Sequence, residues 1–63
     1  MTERLARIGD VINYEVELQI GGTMVKTSMV IDLTETTLHL QNGEQLQRRP
    51  YFDYRTSEGV WVR

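Results

Sequence analysis

The chain lacks cysteine and has a single histidine, the two residue types that form the disulfides and zinc sites of many small proteins. Its 63 residues include no cysteine, one proline and one histidine. Disulfides are therefore impossible, and a structural zinc site is not expected, because zinc binds mainly to cysteine and histidine. A domain of this length buries only about 60% of its unfolded surface, so its core is thin. Association with another chain is the remaining way to add stability, and we predict a homodimer.

Long apolar runs are missing as well. No segment reaches the roughly 18 apolar residues of a membrane-spanning helix, and the opening stretch MTERLARIGD has no apolar run of signal-peptide length. We therefore expect one complete domain over residues 1–63, located in the cytoplasm and independent of membranes. The formal net charge of −2 does not favour nucleic-acid binding, because nucleic-acid binders neutralise phosphates with basic side chains.

Apolar and polar residues alternate without a fault over residues 12–20, which predicts a half-buried strand. Gly21-Gly22 follows, and two glycines suit a two-residue turn that needs positive φ at both positions. Such a turn predicts a hairpin over residues 11–33 in which Ile12 lies opposite Ile31. The predicted core shares the apolar face of this hairpin and of the later strands: Ile12, Tyr14, Val16, Leu18, Ile20, Val25, Met29, Ile31, Leu38, Leu40 and Leu46.

The rest of the chain predicts short strands between turn residues. A third strand covers residues 37–41, and the three-residue loop after it, residues 42–44, has Gly43 in the left-handed region. A fourth strand begins near Gln45 and meets Pro50, which must lie at an edge, bend or bulge because proline lacks the N–H that a ladder needs. Residues 2–8 predict either a short helical turn or an extended segment that leads into the first strand.

The predicted fold class is all-β, a five-stranded antiparallel meander curled into a small SH3-, Sm- or OB-like barrel. Curling removes the free edges of so short a sheet. A short helical turn followed by five strands resembles Sm-type barrels. The ending PYFDYRTSEGVWVR resembles the last strands of small bacterial initiation factors with an OB fold. Both resemblances imply a small barrel, and neither supplies functional residues.

Groups suited to catalysis are scarce. A nucleophilic triad needs a base beside its nucleophile, and the one imidazole belongs to His39, which alternates with leucines and is expected to face solvent. Glu15 and Glu17 share one strand face, about 7 Å apart by strand geometry, but this face is expected to be a solvated polar one. We predict that the protein is not an enzyme and needs no cofactor and no metal.

The segment QRRPYFDYR, residues 47–55, is the strongest candidate for a functional surface, and we call it the aromatic–arginine segment. Either Tyr51 or Phe52 closes the core, or the segment forms a patch for another protein, since interface centres are enriched in Tyr, Trp and Arg. A third interpretation is a platform on which bases stack and arginines follow phosphates. The candidate binding residues are Arg48, Arg49, Tyr51, Tyr54, Arg55 and Trp61.

The function predicted from these residues is a non-enzymatic binding module, an adaptor or regulator that docks on another protein. Binding of single-stranded RNA or DNA through the same residues is the alternative. The two differ in salt dependence, because phosphate neutralisation makes nucleic-acid affinity fall steeply as salt rises, whereas an apolar protein interface changes little.

Overall fold

The structure, a computed structural model, describes residues 2–63. These residues form seven β-strands and no helix, so the predicted all-β class is confirmed and the predicted helical turn is wrong. The strands are β1 (Glu3–Arg4), β2 (Val11–Glu17), β3 (Thr23–Leu33), β4 (Thr37–Leu40), β5 (Gln45–Gln47), β6 (Tyr54–Thr56) and β7 (Trp61–Val62). The alternative expectation for the N-terminus, an extended segment, agrees with β1.

All seven strands belong to one sheet in the order β1-β7-β6-β2-β3-β4-β5. After β5 the chain crosses to the other side of β2, where β6 pairs with it, and β1 joins β7 in parallel. The prediction of a five-stranded meander closed into a barrel is therefore wrong. The edge strands, β1 and β5, have two and three residues, which leaves little ladder for closure. A side chain connects the two halves of the sheet instead, since the Tyr54 hydroxyl on β6 donates to the backbone carbonyl of Gln47 on β5 over 2.7 Å.

Three hairpins, β2–β3, β4–β5 and β6–β7, close with the same three-residue loop, over residues 19–21, 41–43 and 57–59. In each hairpin the N–H of the third loop residue donates over 3.0 Å to the carbonyl of the residue before the loop. That third residue is a glycine with φ of 93°, 87° or 88°, which other residues rarely adopt. The predicted left-handed Gly43 is confirmed, but its loop begins one residue earlier than predicted. The two-residue turn at Gly21-Gly22 is wrong.

The longer loop shifts the register of β2 against β3 by three residues from the predicted one. Ile12 lies opposite Ser28 and not opposite Ile31. Because the shift is odd, every side chain of β3 changes faces relative to the prediction. The predicted core residues that the structure exposes are Leu18, Ile20, Val25 and Ile31.

A β-bulge in β3 adapts that strand to the core. The register against β4 shifts between Val30 and Asp32, so Val30 lies opposite Leu40 while Leu33 lies opposite Leu38. Because of the extra residue, Val30 and Leu33 both face the core although they are three residues apart. The buried core consists of Ala6, Ile12, Tyr14, Val30, Leu38, Leu40, Tyr54 and Val62, with Val16, Leu33, Leu46 and Val60 packed against it.

Asp10 fastens the N-terminal segment in front of β2. Its carboxylate accepts two hydrogen bonds of 2.8 Å from the Arg4 guanidinium and one of 2.8 Å from the Arg7 backbone N–H. The Asp10 side chain is 13% exposed, so water screens these bonds little. The hydrogen bond from Arg4 outweighs the effect of burial and holds the pKa of Asp10 below its ordinary value.

Asp10→Asn is expected to lower the free energy of unfolding by about 1.5–3 kcal/mol, the range for hydrogen bonds to charged groups. The matched control is Asp53→Asn, which removes an exposed ion pair of 3.0 Å with Arg49 and should cost less than about 1 kcal/mol. Because folding lowers the pKa of Asp10, its contribution is present above the unfolded value of 3.8 and is lost as pH falls below it. Urea denaturation near pH 7 and about pH 3 measures both effects, and equal losses for the two variants at neutral pH would contradict the expectation.

Candidate functional site

An open groove runs beside the second half of β2, between this strand and the chain that leads into β6. Its volume is about 580 Å³. We call it the β2 groove. Its lining residues are Asn13, Tyr14, Glu15, Val16, Glu17, Thr23, Val25, Arg49, Asp53, Tyr54, Arg55 and Trp61.

The groove exists because β2 is longer than the strand beside it. β2 spans Val11–Glu17, whereas its register with β6 covers Ile12 and Asn13. The chain before Tyr54 leaves the sheet, so the second half of β2 has no neighbouring strand on this side. A free edge of this kind is a template on which a further strand can pair.

Backbone groups of Glu15 and Glu17 point into this groove. On the β6 side of β2, the Ser57 N–H donates to the Val11 carbonyl over 2.9 Å. Successive residues of a strand direct their N–H and C=O groups to opposite sides, so Glu15 and Glu17 share the direction of Val11. Within residues 2–63 their backbone groups have no hydrogen-bond partner on that side.

A row of side chains across the face opposite the core fixes one end of the groove. The row consists of Glu3, Trp61, Arg55, Asn13 and Thr27, each opposite the next on five adjacent strands. The Thr27 hydroxyl donates to the Asn13 side-chain carbonyl over 2.6 Å. The Arg55 guanidinium lies 5.8 Å from the centroid of the Trp61 ring, within cation–π range. Trp61 and Arg55 therefore contact each other at this end of the groove.

Charges of both signs surround the groove, but they are not equally engaged. Arg49 forms its ion pair with Asp53, and Arg55 lies over an aromatic ring. Glu15 and Glu17 are exposed and have no ion-pair partner among the residues that the structure describes. Across the hairpin they face neutral side chains. The free edge of β2 therefore presents unpaired negative charge.

The structure separates the six predicted binding residues. Four of them line the β2 groove: Arg49, Tyr54, Arg55 and Trp61. Arg48 does not line the groove but a second depression, together with Leu5, Glu35, Arg63 and Arg49, which borders both. Tyr51 is 68% exposed and lines neither depression.

Much of the aromatic–arginine segment holds the fold together. Arg48 donates to two backbone carbonyls over 2.7 and 3.3 Å. Tyr54, 8% exposed, is the aromatic residue of this segment that belongs to the core, in place of Tyr51 or Phe52. The Phe52 ring instead lies 4.8 Å from the guanidinium of Arg63. These contacts hold Arg48, Phe52 and Tyr54 in the fold, while Gln47, Pro50 and Tyr51 are exposed outside the groove.

Sequence reasoning missed the β2 side of the site. Glu15 and Glu17 were expected on a solvated face, and they are exposed, but the unpaired backbone beneath them was not foreseen. The available signal was Pro50, because a proline cannot continue an interior ladder and therefore marks an interruption of the sheet before the next strand. A seven-residue strand beside a short one must leave part of its edge free.

Residues 2–63 contain no group of three or more His, Asp or Glu side chains placed to hold a metal ion. No helix in the same range has the length and hydropathy needed to cross a membrane. Comparison of the chain with protein-family models, curated proteins and solved structures gives no match.

Proposed function

We propose that the protein is a binding module that docks on another protein by holding an extended segment of it in the β2 groove. The segment adds a strand beside β2 and pairs with the backbone groups of Glu15 and Glu17. The free edge of β2 inside a groove of about 580 Å³ is the observation that carries this proposal. Strand addition draws its affinity from main-chain hydrogen bonds and its specificity from side chains at alternate positions.

The charge at this edge indicates which segments fit. Side chains directly opposite each other on neighbouring strands lie about 4.5–5.5 Å apart, where opposite charges attract and like charges repel. Glu15 and Glu17 project from the same face, two residues apart. Two basic side chains at alternate positions of the bound segment would therefore lie opposite them. We propose a partner with lysine or arginine at every second position of an extended stretch.

Nucleic acid suits this groove less well. Of the two arginines that line the groove, Arg49 is paired with Asp53 and Arg55 lies over the Trp61 ring, so neither reaches a phosphate without losing a contact. Glu15 and Glu17 would repel a phosphate backbone. Inside the groove the base-stacking surface is limited to Trp61, since Tyr54 is buried and the exposed Tyr51 lies outside.

A charge-exchange titration tests the proposal. The wild-type chain is expected to bind a fluorescent peptide of alternating lysine and threonine about tenfold more tightly than its glutamate counterpart, from two favourable cross-strand pairs. Glu15→Lys with Glu17→Lys is expected to reverse this preference. The matched control, Glu35→Lys with Glu58→Lys, makes the same change in net charge away from the groove and should keep the preference for lysine.

Two outcomes would contradict the proposal. Equal affinity for both peptides, or the same change of preference in both double variants, would show that the β2 edge does not select the ligand. Labelled single-stranded RNA and DNA are titrated in parallel at two salt concentrations. Tight binding with a steep salt slope that Arg48→Ala with Arg49→Ala abolishes would make nucleic acid the ligand instead.

A further inference from the structure

We infer that a second copy of this chain pairs with the free edge of β3 over Thr23–Thr27, so that the protein is a two-fold symmetric dimer. β3 spans Thr23–Leu33, but its register with β4 covers Val30 to Leu33. The first half of β3 therefore has no strand on its β4 side. Together with the free edge of β2, this leaves the end of the β2–β3 hairpin as a two-stranded arm with both edges open.

The backbone direction along β3 identifies the groups that a second copy would meet. On the β4 side, the Gln41 N–H donates to the Met29 carbonyl over 2.9 Å. By the alternation along a strand, the N–H and C=O groups of Thr23, Val25 and Thr27 point to the same side. Within residues 2–63 these groups have no hydrogen-bond partner there.

The edge is complementary to itself. A two-fold axis at Val25 places this residue beside its own copy and sets Thr23 opposite Thr27 in both directions. Each of these pairs is of the hydrogen-bonded kind, which gives about six main-chain bonds across the axis. A two-fold interface requires the same surface on both subunits, and this edge supplies it.

Charge distinguishes the β3 edge from the β2 edge. A copy that paired at β2 would bring Glu15 and Glu17 against the same glutamates, and like charges directly opposite each other are destabilising. The β3 edge carries neutral side chains apart from Lys26. A lysine on a free edge normally opposes strand pairing. Here the Lys26 ammonium forms an ion pair with the Glu44 carboxylate, which also accepts a hydrogen bond from the Tyr14 hydroxyl. The hydrogen bond to Lys26 holds the pKa of Glu44 below its ordinary value, so the pair is fully charged at neutral pH.

Pairing at β3 also covers apolar side chains that the single chain exposes. Val25 is 63% exposed and Met24 is 43% exposed. A domain with so thin a core gains stability when a second copy removes such surface from water. The neutral, self-complementary edge and the exposed apolar side chains on it both favour another copy of this chain over an unrelated strand.

Sedimentation tests the dimer. The mass measured by sedimentation of the wild-type protein is expected to be twice the 7.4 kDa of one chain. Its melting temperature is expected to rise with protein concentration. Val25→Lys is expected to sediment as a monomer. The substitution should not weaken the monomer, since Val25 lies opposite Glu15 across the hairpin and a basic side chain there meets an opposite charge. Ile8→Lys is the matched control, because Ile8 is 64% exposed and lies outside the arm.

The cysteine-free sequence allows a second readout. Residues of a hydrogen-bonded antiparallel pair have Cα atoms about 5.5 Å apart, but their Cβ atoms lie beyond the roughly 3.5–4.5 Å of a disulfide, so a short bifunctional thiol reagent suits this pair. Val25→Cys is therefore expected to crosslink rapidly with such a reagent, and Ile8→Cys slowly. A wild-type chain that sediments at 7.4 kDa with a concentration-independent melting temperature would overturn the inference. Equal association of the two lysine variants, or equal crosslinking of the two cysteine variants, would do so as well.

Discussion

Ile12→Ala is expected to lower the free energy of unfolding by about 2–5 kcal/mol, whereas Ile31→Ala should lower it by less than about 1 kcal/mol. Both substitutions remove the same atoms. Ile12 is 0% exposed and sits among core side chains, so its truncation leaves a cavity. Ile31 is 49% exposed at the bulge of β3, where water fills the space. The difference therefore reports the register of β2 against β3.

Urea denaturation at one fixed protein concentration measures these losses, because the contribution of association is then the same for variants that lie outside the dimer interface. Ile20→Ala is the control, since Ile20 is 94% exposed in a loop and its truncation should change stability by less than about 0.5 kcal/mol. Equal losses for Ile12→Ala and Ile31→Ala would show that the hairpin has the shorter, two-residue turn, which places these two residues opposite each other on the core face.

Tyr54→Ala is expected to cost about 3–5 kcal/mol, and Tyr51→Ala less than about 0.5 kcal/mol. The two tyrosines are three residues apart in the aromatic–arginine segment, but Tyr54 is 8% exposed and Tyr51 68%. Tyr54 also donates its hydroxyl to the Gln47 carbonyl over 2.7 Å, which links β6 with the edge strand β5. Tyr54→Phe isolates this bond and should cost about 1 kcal/mol.

Thermal melting followed by circular dichroism separates the three tyrosine variants. A large loss for Tyr51→Ala with little change for Tyr54→Ala would assign the core position to Tyr51 and return Tyr54 to the surface. The expected order, in contrast, leaves Tyr51 as a side chain that can be replaced without harm to the fold. Any effect of Tyr51→Ala on peptide binding would then report a direct contact.

The sequence was sufficient for the strands and insufficient for their register. Alternation in β2 places Ile12 and Tyr14 inside, as the structure has them. β3 carries apolar residues on both faces, so its pattern alone does not decide between Val30 and Ile31. The length of the loop before β3 determines which of the two is buried, because one additional loop residue exchanges the two faces of the whole strand. The bulge then returns Leu33 to the core side, which no periodicity reveals.

The candidate site was also predictable only in part, because it depends on which strands lie next to each other. Arg49, Arg55 and Trp61 were grouped by composition, and they do meet along one groove. Arg48 points elsewhere because the chain bends out of the sheet between β5 and β6, so neighbours in sequence separate in space. The contribution of Glu15 and Glu17 depends on which strand lies beside β2 and how long it is. That is a property of the crossover from β5 to β6, and the closed barrel that the sequence predicts would offer no such edge.

Amide hydrogen exchange at Glu15 and Glu17 tests the central claim most directly. In the free protein these two N–H groups are expected to exchange rapidly, while the N–H of Val16, which points to β3, exchanges slowly. Saturation with the alternating lysine–threonine peptide should slow the exchange of Glu15 and Glu17 and leave Val16 unchanged. Slow exchange of Glu15 and Glu17 in the free protein, or no change on addition of a peptide that binds, would contradict strand addition at the β2 edge.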